Sequence, residues 1–200
     1  MPTFTQRDRP LRLTTPLGED ALLLERVRGV EAMSSLFHFE LDLLSEKKDI
    51  DPRALLGKPV TIEIDFGGDD GKTRYINGIC SRIAQGGRDM RLVRYHAEVV
   101  PRLWLGTRTR NSRIFQSKTV PEVLQSVLKE LGVEVKMEIA GTMHPRNYLT
   151  QYNESDFAFL SRLMEEEGIF YYHLHSNGKH ELVLGNTPNL PTVPDPGSTV

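Results

Sequence analysis

The residues of this chain best suited to chemistry crowd into "QYNESDFAFLSRLMEEEGIFYYH", residues 151–173, where aromatics mix with five carboxylates and Gly168 closes the run. Clustered carboxylates of this kind can act as general acid and base, the chemistry of cell-wall or polysaccharide cleavage. Downstream, His173, His175 and His180 fall on an expected hairpin, and His173 and His175 share one strand face, a geometry open to zinc. The only further ligand nearby is Glu181, which points to the face opposite His180, so solvated histidines are the expectation. Upstream, Arg108, Arg110 and Arg113 lie beside Trp104 and Phe115, a combination also found in grooves for single-stranded nucleic acid. Lys plus Arg number 25 against 27 Asp plus Glu, and no nucleic-acid motif occurs, so salt bridges or a protein interface suit these arginines better.

Other chemistry is weaker still. In "GGDDGKT" the residues Gly71, Lys72 and Thr73 resemble the end of a phosphate-binding loop. The required earlier glycine is replaced by Phe66, and Asp69 and Asp70 would repel phosphate, so a hairpin turn is expected. A calcium loop fails as well, because Gly67 falls where an oxygen ligand is needed. No glycine-flanked serine stands ready as a nucleophile. Cys80 is the sole cysteine, which excludes an intrachain disulfide and reads as a small buried hydrophobe.

These candidates must be positioned by elements legible in the hydrophobic pattern. "FHFELDL", "VTIEIDF" and "VRYHAEV" alternate apolar and polar residues, placing Phe37, Phe39, Leu41 and Leu43, then Val60, Ile62, Ile64 and Phe66, then Val93, Tyr95, Ala97 and Val99 on single faces. A sheet with one wet face follows. Asp51, Pro52 and Gly57 frame one helical turn, and "FGGDDGKTRY" and "AQGGRDM" supply hairpin turns. After Trp104 the period changes: "KTVPEVLQSVLKELGV" has a capping box in Thr119 and Glu122, apolar residues at helical spacing, and Gly132 as its stop. "MHPRNYLTQY" reads as a short strand and "IFYYHLHSNGKHELVLG" as a hairpin turning at Asn177 and Gly178. Prolines 188, 191, 194 and 196 mark residues 188–200 as a linker or junction.

Residues 154–167 then read as a second helix capped by Asn153, with Phe157, Phe159, Leu160, Leu163 and Met164 forming a wide apolar stripe. Glu154 and Asp156 in its first turn suit the helix dipole, whereas Glu165, Glu166 and Glu167 in its last turn oppose it. Arg162 can pair with Glu165 or Glu166, but an exposed helical pair contributes only about 0.2–0.5 kcal/mol. Something outside the helix must face the three glutamates.

Three ordered blocks now carry a resemblance: "LRLTTPLGEDALLLERVRGVEAMSSLFHFELDLLSE" with "LLGKPVTIEI", then "RNSRIFQSKTVPEVLQSVLKELG", then "YLTQYNESDFAFLSRLMEEEGIFYY". In this order they resemble the VgrG family (Rhs element Vgr), the spike of the bacterial type VI secretion system, over most of residues 11–185. The resemblance implies a mainly β, α+β fold: antiparallel β-barrels like those of a phage-tail baseplate hub, with two main helices. It implies a homotrimer seated on a tube of Hcp rings, in contact with baseplate proteins, and with a PAAR tip and effectors attached through C-terminal parts missing here. It implies no catalysis and no cofactor. Arg110, Phe115, Gln116, Tyr152, Asp156, Phe157, Arg162, Glu166 and Gly168 match signature positions, to be read as packing or subunit contacts, with Glu165, Glu166 and Glu167 as a polar interface.

On this reading residues 1–105 form a first hub-like barrel and residues 106–187 begin a second. Relatives of this kind continue into an OB-like domain and a β-helix, so the chain is expected to be an N-terminal fragment or a shortened member. The polar "MPTFTQRDRP" lacks a secretion signal and no apolar run is long enough to span a membrane, so the expectation is cytoplasmic assembly followed by export through the machine. The rival readings are a hub of a prophage tail or related contractile injection device and a cell-wall-acting enzyme using the carboxylates of residues 154–167.

Overall fold

The computed structural model describes residues 4–67, 72–89 and 91–187. The tip of the "GGDDGKT" turn and the proline-rich stretch 188–200 lie outside the described residues.

The first half builds one six-stranded antiparallel sheet from β1 (Leu11–Thr14), β2 (Leu23–Val30), β3 (His38–Ser45), β4 (Pro59–Asp65), β5 (Thr73–Asp89) and β6 (Leu92–Val100). Their spatial order is β1-β4-β5-β6-β3-β2. The sheet curls until its edge strands β1 and β2 approach one another, a half-barrel closed by side chains rather than by a ladder. The period-2 faces read from the sequence line its inside. Leu41 pairs with Ala97 and Leu43 with Tyr95 across β3 and β6, all four buried in one cluster with Phe37, Val60, Ile62, Ile76 and Val99. Phe66 departs from the expected face and is exposed.

The hairpin expected at "AQGGRDM" is present between β5 and β6, but its glycines are not the turn: β5 runs on through Gly86 and Gly87 to Asp89, which pairs with Leu92. Between Gln85 and Arg88 the strand carries one residue more than β6, a bulge that the two glycines absorb. The single helical turn at Pro52–Ala54 is as expected, with the Asp51 carboxylate accepting from the Arg53 N–H. Cys80 is buried on β5, and burial pushes its thiol up to about 11, so it is an inert packing residue.

A 3-10 turn at Arg102–Thr107 leads into the second half: β7 (Arg110–Lys118), α1 (Val120–Glu130), β8 (Val135–Glu138), β9 (Arg146–Ser155), α2 (Asp156–Glu166), β10 (Phe170–Ser176) and β11 (Lys179–Gly185). The α1 capping box closes as read: the Thr119 hydroxyl accepts from the Glu122 N–H, and the Glu122 carboxylate accepts from the Thr119 N–H. Strands β7 and β9 form a two-stranded antiparallel ribbon, and β10, β11 and β8 a small sheet in which β8 runs parallel to β11. The apolar faces of α1 and α2 meet Leu149, Tyr171, Leu182 and Leu184 in a second core. No helix among the described residues is long and apolar enough to cross a membrane.

Candidate interaction site

The motif of residues 151–173 does not begin with a helix. Strand β9 continues through Gln151, Tyr152, Asn153 and Glu154, and the helix cap is Ser155, whose hydroxyl accepts from the Ala158 N–H. Asn153, expected as the cap, instead sits in the ribbon with φ of 48°. It lies at a bulge, where the pairing of β7 with β9 shifts between Asn111 and Arg113, and asparagine tolerates the left-handed backbone such a bulge requires.

Asp156, the first residue of α2, is buried. Its carboxylate accepts from Thr109 Oγ1 at 2.6 Å, Asn111 Nδ2 at 2.9 Å, Gln151 Nε2 at 2.9 Å and the Arg113 guanidinium at 2.6 Å. Burial pushes this carboxyl up, but the hydrogen bonds from Thr109, Asn111 and Gln151 and the charge of Arg113 outweigh it and hold it below its usual range. The helix dipole is therefore a minor reason for Asp156; it anchors the start of α2 to the ribbon. Glu154 belongs to the strand rather than the first turn, and pairs with Arg162 at 2.7 Å.

The terminal glutamates have partners inside the chain. Arg146, at the start of β9, pairs with both Glu166 and Glu167, and Arg162 adds a contact to Glu166 at 3.3 Å. The hydrogen bond from Arg146 does most to hold Glu166 below the ordinary carboxylate range, with Arg162 assisting against partial burial. The expectation that something outside the helix faces these residues holds for two of them, and that something is a strand of the same chain. Glu165 is exposed.

The remaining signature positions divide by face. Phe115 stacks on Phe159 at 5.9 Å between ring centroids, Phe157 packs against the second core, and Gly168 ends the helix with φ of 64°. Arg110, Gln116 and Tyr152 lie on the exposed side of the ribbon. Tyr152 is 81% exposed, and Ile114 and Tyr148 beside it are 62% and 66% exposed. The sequence reading missed Ile114 and Tyr148, although the period-2 pattern of "YLTQY" already puts Tyr148, Thr150 and Tyr152 on one face and the buried Leu149 and Gln151 on the other.

The arginines do not form a nucleic-acid groove: Arg113 is turned inward to Asp156, Arg108 lies over Trp104 at 5.2 Å, and Arg110 reaches Asn153. The histidines overturn an expectation. His173 is buried, and His175 and His180 are largely enclosed, because the pairing of His175 with His180 turns all three rings toward β5 and Phe37. Their spacing along the strands showed the shared face, but not that another sheet covers it.

Residues 30–199 match the family described as phage tail baseplate hub (GPD). Among similar proteins, the type VI secretion system spike protein VgrG1b of Pseudomonas aeruginosa is 36% identical over 199 residues, 96% of this chain and 27% of that protein. VgrG1a of the same organism is 40% identical over 183 residues, 90% of this chain and 28% of that protein. The chain thus spans little more than a quarter of the length of these two relatives. Among solved structures, the E. coli c3393 protein, described as a type VI secretion component similar to the T4 bacteriophage tail proteins gp27 and gp5, superposes with a TM-score of 0.79 at 22% identity, covering 88% of this chain and 49% of that one. A Francisella PdpA–VgrG complex gives a TM-score of 0.62 at 10% identity, over 90% of this chain and 31% of that chain. These two likenesses show the fold.

Proposed function

Because the chain belongs to the phage tail baseplate hub family, we propose that it is the hub part of a trimeric type VI secretion spike, seated on Hcp tube rings and contacting baseplate proteins. The observation that carries this is the similarity to VgrG spike proteins along almost the whole chain. We read residues 1–105 and 106–187 as two hub-like units; the two hydrophobic clusters support this division, with Leu36 and Leu103 reaching from the first range into the second cluster. A PAAR tip and effectors engage parts of the full protein outside this segment, which is exported by the machine from its cytoplasmic assembly site.

The role is mechanical rather than catalytic. A general acid needs a carboxyl whose pKa is raised toward neutrality. Asp156 and Glu166 are shifted the other way, each clamped by an arginine. Phe115, Asp156, Phe157, Arg162, Glu166 and Gly168 serve as packing and anchoring residues, and Arg110, Gln116 and Tyr152, with Ile114 and Tyr148, as the subunit-contact face. Of the glutamates, Glu165 is the one free of the Arg146 clamp that also holds Glu167, and it is the polar interface candidate.

The deciding experiment is affinity purification of the full-length protein from cells that make both kinds of machine. Co-purification of hexameric tube rings supports the spike reading. Recovery of phage tail proteins instead would establish the second reading, a prophage tail hub, which the family match also favours.

A further inference from the structure

The hairpin β10–β11 docks on the half-barrel through a joint built from imidazoles. His175 Nδ1 accepts from the Asn77 backbone N–H at 3.1 Å, and its Nε2 meets Glu31 Oε1 at 2.9 Å. His180 Nε2 accepts from the Arg102 backbone N–H at 3.0 Å, while its Nδ1 lies 2.8 Å from Asn77 Oδ1. The Asn77 amide is fixed in this sense because its Nδ2 donates to Val60 O and Thr61 Oγ1. Backbone N–H groups can only donate, so each of these two rings must keep one nitrogen unprotonated to hold its bond. The third ring, His173, is 8% exposed, packs edge-on against Phe37 at 5.0 Å, and its Nε2 has no hydrogen-bond partner. A proton there would be a buried charge without an acceptor.

We propose that this histidine joint is an acid-released latch: it fastens the hairpin to the half-barrel while His173 and His180 are neutral, and protonation of the two rings lets the hairpin, moving together with the second core to which its Tyr171, Leu182 and Leu184 belong, part from the half-barrel without unfolding either core. Burial, with the neighbouring imidazoles, pushes His173 down to about 3, and burial with His175 and Arg102 pushes His180 down to about 4. The groups facing the joint are Glu31 from the β2–β3 loop, Arg74 from β5, Arg102 from the 3-10 turn, Glu134 after α1, and Tyr171 on the hairpin, whose Lys179 and Glu181 lie on the opposite face. Of the carboxylates, Glu31 sits closest. Burial raises it, and hydrogen bonds from His175 and Arg74 overcome that and hold it ionised to lower pH.

The sign follows from linkage. Both histidines have native pKa values below the ordinary ~6.5, so the closed joint binds fewer protons than the open one. Closure is fully supported above pH ~6.5 and weakens as pH falls, by about tenfold per pH unit for each ring that titrates only when the joint opens.

Hydrogen exchange of the 200-residue chain between pH 7 and pH 4.5, corrected for intrinsic rates, tests this on the Asn77 and Arg102 amides. The expected result is that their protection falls by about a hundredfold per pH unit below pH ~6, while Leu41 in β3 and Leu124 in α1 stay protected. In His173→Phe, which keeps a ring against Phe37 but cannot take a proton, the fall should shrink to about tenfold per unit. Joint amides that keep their protection to pH 4.5, core amides that open together with them, or a His173→Phe chain with the wild-type slope would each overturn the latch.

Discussion

Arg113 and Asp156 meet at 2.6 Å where strand β9 becomes helix α2, joining the first strand of the ribbon to the helix that closes the second core. The pair is enclosed on the Asp156 side, whose side chain is 5% exposed, and Arg113 also holds Glu130 at the end of α1. Two helices and a ribbon are thus fastened at one guanidinium.

Removing one partner of such a buried pair should be costly. Asp156→Ala leaves Arg113 and three further donors without their acceptor, and about 3 kcal/mol of stability should be lost. For a chain of this size that is a fall in Tm of roughly 6–12 °C, measurable by thermal unfolding. Arg113→Met should lose less, because Thr109, Asn111 and Gln151 still satisfy the carboxylate.

The same carboxylate sets an acid dependence. Its native pKa is lowered, so its contribution is present above the unfolded value of ~3.9 and fades as pH falls below it. The stability gap between wild type and Asp156→Asn should therefore be constant from pH 7 to pH 5 and narrow below pH ~4. A gap that widens in acid would contradict the assignment.

Arg146 makes a different forecast, because its pairs with Glu166 and Glu167 are partly solvent-exposed. Arg146→Ala should cost no more than about 1 kcal/mol, and the loss should vanish in high salt, where exposed ion pairs are screened. Denaturant titrations at low and high ionic strength check this.

Gly29 lies opposite Phe39 in the β2–β3 pairing, and a Cβ at Gly29 would come within 2.0 Å of the Phe39 ring. Gly29→Ala must displace Phe39 from the half-barrel core, at a cost of about 1–3 kcal/mol. A double variant with Phe39→Leu should recover part of the loss, which a thermodynamic cycle would show as non-additivity.

The outward ribbon face should behave oppositely. Ile114→Ser with Tyr148→Ser should leave the unfolding midpoint of the chain nearly unchanged, because both side chains are exposed. On the proposed trimeric-spike reading, the same changes in the full-length protein should shift its mass distribution in analytical sedimentation away from three copies. An unaltered trimer would remove this face from the subunit contact.

The sequence by itself determined many features whose cause is local, though not the Ser155 cap of α2 or the glycine bulge of β5. Alternating apolar residues in "FHFELDL" and "VRYHAEV" became inward faces, the Thr119–Glu122 box started α1, and Gly178 turned the β10–β11 hairpin, since period and backbone freedom act within a few residues. What it left open were partners far along the chain. Arg146 is 20 residues from Glu166, Arg113 is 43 from Asp156, and Asn77 is 98 from His175. No spacing rule reaches that far, so glutamates that oppose their own helix dipole looked like an outward interface, and histidines on one strand face looked solvated. Only the curling of one sheet over another decided which charges were clamped and which imidazoles lost their water, because burial is a property of the assembled surfaces and not of the residues that line them.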